Sequence, residues 1–171
     1  MPPASKPRPR RGAPRPRASE SPARVRSASS ARLVDRLRRI CLALPEADEK
    51  VSHGEPTWFA GTGKVFAMLD DHHHGSPHLS VWLPAPAGVQ EALVGSDPDR
   101  YFRPPYVGPR GWIGVVLDTR PDWRVVAGLV EEAYRQVASR RLIARLDARG
   151  SGERRGAPLT RPPRGGRAAP R

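Results

Sequence analysis

The sequence predicts a small α+β domain, an antiparallel sheet with helices packed on it, spanning residues 30–147. Three observations predict it. Apolar residues recur at helical spacing at both ends of that stretch. Between them lie short apolar runs joined by turns rich in Gly, Pro and Asp. The order helix, strands, helix, strand, helix sets helices against a sheet rather than alternating them with parallel strands. The flanking segments, 1–29 and 148–171, consist mostly of Pro, Arg, Ala, Ser and Gly. They have too little apolar surface to offset the entropy of folding, so both are expected to be disordered tails.

Taken in order, the first helix should begin near Ser29 or Ser30, either of which can cap it. Leu33, Val34, Leu37, Ile40, Cys41 and Leu44 form its apolar face, and Pro45 stops it. Residues 46–56 are polar and read as turns. Thr57–Ala60, Lys64–Asp70 and His78–Pro84 read as three strands of a meander, the first two joined by Gly61-Thr62-Gly63 and the last two by a loop over 70–77. Pro86–Val94 reads as a short helix with Val89, Ala92 and Leu93 inward. The stretch Tyr101–Arg110 holds too many prolines and glycines for a central strand. Gly111–Asp118 is the fourth strand. Asp118 or Thr119 then caps a helix with Pro121 and Asp122 in its first turn, and Val126, Leu129, Val130, Ala133, Tyr134 and Val137 form its stripe. Residues 140–146 continue as one or two further helical turns.

The chain has 171 residues and a formal net charge of +13. That charge is unevenly placed. Residues 1–30 carry +7 and residues 148–171 carry +6, so the segment between them is neutral. A basic chain points to nucleic acid or another polyanion. Here the tails alone supply that signal, as solubilising segments or as electrostatic tethers to phosphate. The single cysteine, Cys41, excludes an intrachain disulfide. No apolar run reaches the roughly 20 residues needed to span a bilayer, and no apolar segment follows the basic start as in a secretory signal. A cytoplasmic location and no membrane partner are therefore expected.

Few residues suggest chemistry. His72, His73 and His74 follow Asp70 and Asp71. Adjacent histidines rarely converge on one ion, and no cysteine or distant carboxylate completes a tetrahedral set, so a polar hairpin tip is expected rather than a metal site. His53 could serve as an acid or base, but no nucleophile stands at a recognisable elbow. A structured turn over His53-Gly54-Glu55-Pro56 explains it. Gly61-Thr62-Gly63-Lys64 lacks the spacing of a phosphate loop. No cofactor and no catalytic residue are implied. Tyr101, Phe102, Tyr106 and Trp112 interleave with Arg100, Arg103 and Arg110. Such a mixture suits either nucleic-acid contact or a proline-stiffened flap over the core.

Several motifs occur together: a helix ending in Leu44-Pro45, Ser52-His-Gly-Glu-Pro-Thr57, Lys64-Val-Phe-Ala67, Tyr106 through Gly111-Trp112, Val116-Leu-Asp118, and Leu129-Val-Glu-Glu-Ala-Tyr134. In this order they resemble the MmcQ/YjbR family of small bacterial proteins, over about residues 33–146. The resemblance implies a compact α+β fold whose hairpins project as two wings. The family is named as DNA-binding because its fold is similar to a double-wing domain of a phage transcription activator. It implies no catalytic residues. One departure is Ala133, where the family often has Ser before the Tyr.

Two functional expectations follow. In the first, the protein is a non-enzymatic DNA-binding protein, with tails on phosphates and wings approaching the duplex. Its candidate contacts are Lys64, Arg103, Arg110, His72, His73 and His74. In the alternative, the domain binds a small ligand or a protein through a pocket formed by His53, Trp58, Tyr106 and Trp112, and the tails only solubilise it or bind polyanions without specificity.

Overall fold

The structure is a computed structural model that describes residues 27–61, 63–72 and 76–155. The rest of the two tails, Thr62, His73, His74 and Gly75 lie outside the described residues. Helix α1 (Ala28–Leu42) is capped by Ser27, whose hydroxyl accepts from the Ser30 amide. The cap lies two to three residues earlier than expected. A six-stranded sheet follows: β1 (Ala47–Ser52), β2 (Glu55–Ala60), β3 (Lys64–Asp71), β4 (Leu79–Pro84), β5 (Tyr101–Phe102) and β6 (Trp112–Val116). Its order is β1-β2-β3-β4-β6-β5 and every neighbouring pair is antiparallel. Helix α2 (Val89–Ser96) joins β4 to β5, and a short 3-10 turn (Gly108–Arg110) leads into β6. Helices α3 (Trp123–Val137) and α4 (Arg140–Arg155) complete the described residues, and position 147, where the domain was expected to end, lies within α4.

Strand β1 occupies a stretch that reads as polar turns. Its inward position is Glu49, which is held rather than excluded. The carboxylate accepts from Arg38 on α1, Nε at 2.8 Å and Nη2 at 3.0 Å, and from the Trp58 indole at 2.9 Å. A charge fully matched by donors can face a core edge, which hydrophobic alternation does not register. The α3 cap also differs: Asp122 caps the helix, accepting from the Arg124 amide. Asp118 instead accepts from the Leu79 amide at 3.1 Å, which ties β4 to the end of β6.

Helices α1 and α3 pack on one face of the sheet. Val34, Leu37 and Cys41 from α1 and Val126, Val130, Ala133 and Tyr134 from α3 meet Trp58, Phe66, Leu69, Val81, Ile113 and Val115 there. An irregularity in the β2–β3 register turns both Phe66 and Ala67 inward. The Phe66 and Tyr134 rings meet edge to face at 5.3 Å. The Tyr134 hydroxyl donates to the Pro45 carbonyl at 2.5 Å, joining the end of α3 to the exit of α1. Burial pushes that hydroxyl above its ordinary pKa. Cys41 is part of the same core, and burial pushes its thiol far up, as befits a small packing residue.

Candidate binding cavity on the open face of the sheet

Strand alternation sends a second set of side chains to the face opposite α1 and α3. Register aligns Met68 with Trp82, Trp82 with Gly114, and Gly114 with Phe102. The Phe102 ring lies where a Cβ on Gly114 would stand, so only glycine fits there. In the next row Asp70 faces Ser80. Thr57 pairs with Met68, and Glu55 and Asp70 each lie two residues from that pair on the same face of their strands. A cavity of about 690 Å³ is lined by Glu55, Met68, Asp70 and Trp82 of this face, by Tyr106, Arg110, Trp112, His53 and Lys64, and by Val137 at the end of α3.

Two tight segments shape its mouth. The β1–β2 hairpin turns at His53 and Gly54, both with positive φ (55° and 83°), the geometry of a two-residue primed turn. It presents His53 at the rim, with Nδ1 3.0 Å from the Ser52 hydroxyl. The other is the flap over residues 103–111. Its prolines stiffen it, Val107 anchors it by burial, and Tyr106 holds φ at +63° with its side chain 74% exposed. For a tyrosine that conformation is costly, and it persists where surrounding structure imposes it.

Gln90 imposes it. This buried α2 side chain donates to the carbonyls of Gly108 at 2.8 Å and Trp112 at 2.5 Å, pinning both ends of the 3-10 turn. Sequence reading missed Gln90. The signal was there: an amide occupies a position flanked by Val89 and Leu93 on a short helix expected to be apolar inward.

Of the four expected pocket residues, His53, Tyr106 and Trp112 share the cavity. Trp58 does not. It lies on the opposite face of β2, fully buried in the helix-side core and bonded to Glu49. Its place in the cavity is taken by Trp82, a core-strand residue whose indole donates to Ser80 Oγ at 3.2 Å. Glu55 and Asp70 were also missed as site residues. Both are buried, at 3% and 2% exposure.

The expected DNA contacts are scattered. Lys64 and Arg110 line the cavity. Arg103 is exposed and pairs with Glu91 of α2 at 3.3 Å. His72 lies 3.7 Å from Asp71, and His73 and His74 lie outside the described residues. Among the described residues, no group of three or more His, Cys, Asp or Glu is arranged to hold a metal. Among them, too, no helix is long and apolar enough to cross a membrane.

The family model described as YjbR matches residues 42–136. The chain belongs to the YjbR family. The matched stretch begins at the end of α1 and includes the whole sheet, both rim segments and most of α3, so the cavity is built from YjbR-family sequence. A crystal structure of a Deinococcus radiodurans protein with a DUF419 domain has the same fold, with a TM-score of 0.54 at 20% identity, over 67% of this chain and 87% of that one. No curated protein matches the chain. The tails lie outside the YjbR match.

Proposed function

We propose that the folded domain is a non-enzymatic binding module and that its ligand occupies the open-face cavity. One observation carries this reading. Three tryptophan and tyrosine side chains, Trp82, Trp112 and Tyr106, converge with His53 around one concavity above two buried carboxylates. Aromatic walls with a few convergent polar groups are the usual composition of a ligand site. Tyr106, with its strained backbone, stands at its mouth, and strain gathers at sites of function. An uncharged apolar dye such as Nile red should gain fluorescence with the full chain and lose that gain in Met68→Trp, which fills the floor. Equal fluorescence in both proteins would count against the cavity as the site.

A second reading has its own support. The net charge of +13 belongs entirely to the two terminal segments. We propose that any DNA binding runs through those segments, as sequence-blind neutralisation of phosphate that weakens steeply with salt. Replacing the tail arginines by glutamine in the full chain should then abolish duplex retention at low salt. Replacing Lys64, Arg103 and Arg110 by alanine should leave it nearly intact. The reverse pattern would return DNA recognition to the hairpins.

A further inference from the structure

We infer that the ligand of this cavity is an organic cation, a protonated amine or guanidinium carried on an apolar or aromatic body. The inference rests on the cavity being the ligand site and names the chemistry it selects. The charges are sorted by depth. Glu55 on β2 and Asp70 on β3 are 3% and 2% exposed, whereas Lys64, Arg110 and His53 line the same cavity from exposed positions. Charges at an exposed rim are screened by water and salt, while those at the floor are screened much less. Two neighbouring buried carboxylates together favour positive charge and N–H donors.

The walls agree with the floor. Indole and phenol faces attract cations through their ring quadrupoles, and tryptophan does so best. Trp82, Trp112 and Tyr106 bring three such rings to the cavity that the carboxylates line. Glu55 and Asp70 already engage other groups of the chain. An entering cation adds to those contacts or exchanges with them, and its apolar body covers Met68 and Val65.

Phenethylamine, 2-phenylethanol and phenylacetate share one aryl body and differ in charge. Each is titrated into the full chain while the Trp82 and Trp112 indole N–H signals are followed by NMR, which reads the cavity and ignores association with the tails. Phenethylamine should shift both signals saturably and bind about tenfold tighter than 2-phenylethanol, and phenylacetate should leave them unmoved. Glu55→Gln should remove the preference for the amine while keeping the weak binding of the alcohol. Phenylacetate or the alcohol binding as tightly as the amine overturns the charge selection but leaves the cavity as a site. No shift with any of the three overturns both. The comparison of ligands uses the unaltered protein, so the result stands even if the Glu55 variant folds poorly.

Discussion

The two faces of the sheet bury side chains to similar depth but of opposite kind. On the face covered by α1 and α3, Trp58, Phe66, Val81, Ile113 and Val130 are hydrocarbon packed on hydrocarbon, and the few polar atoms are matched. On the other face, Glu55, Thr57, Asp70 and Ser80 are buried polar residues beside Trp82. Burial of the first kind stabilises a fold through apolar area removed from water. Burial of the second kind costs free energy unless the polar groups are answered. The contrast assigns stability to one face and recognition to the other, and substitutions should separate the two.

The largest effect should fall on the covered face. Phe66→Ala removes a fully buried ring in contact with Tyr134 and should cost about 3–5 kcal/mol, read by denaturant unfolding. Tyr134→Phe keeps the ring but leaves the Pro45 carbonyl without its donor, and should cost about 1–3 kcal/mol. On the open face, Trp112→Ala removes a half-buried wall. It should cost about 1 kcal/mol or less in stability, yet abolish dye binding. If Trp112→Ala unfolds the domain as readily as Phe66→Ala does, the division between faces fails. Thr57→Val deletes a buried hydroxyl that has no partner among the described residues, so it should change stability by less than about 1 kcal/mol or raise it slightly.

The smallest effect concerns pH. Glu46 follows α1 and accepts from Arg141 at 2.8 and 2.7 Å, and also from Arg145. The Arg141 hydrogen bond, more than any other influence, holds its carboxyl below the ordinary Glu range. A carboxyl depressed in the folded state contributes stability above its unfolded pKa and loses it as pH falls through the folded value. Glu46→Gln should therefore flatten the acid limb of a Tm-against-pH curve slightly and leave the neutral region almost unchanged, because the group is exposed and screened.

Much of the fold was legible because the helix-side residues obey simple periods. The α1 stripe through Val34, Leu37 and Cys41, the β4 alternation of Leu79, Val81 and Leu83, and the α3 stripe through Val126, Val130 and Tyr134 all read directly. Strand β1 did not, because its inward residue is Glu49, satisfied by Arg38 and Trp58 across gaps of 11 and 9 residues. Strand β5 did not, because two residues at a sheet edge carry no period; the prolines after it rightly excluded only a central strand. The cavity was half legible. His53 and Trp112 sit beside turn glycines and Tyr106 sits among prolines, which marks them as loop aromatics. Trp58 and Trp82 both sit in apolar strands, and only the register tells which face each takes. Glu55 and Asp70 pass as ordinary polar strand ends until β2 and β3 are aligned.

The central claim is that the open face, and not the hairpin tips or the tails, is where this domain recognises its ligand. The most direct test is a crystallographic fragment screen of the domain with a library of uncharged and cationic aromatic compounds. The account predicts that bound fragments concentrate between Trp82, Trp112 and Tyr106, over Glu55 and Asp70. Fragments distributed over the surface with that cavity left unoccupied would contradict it.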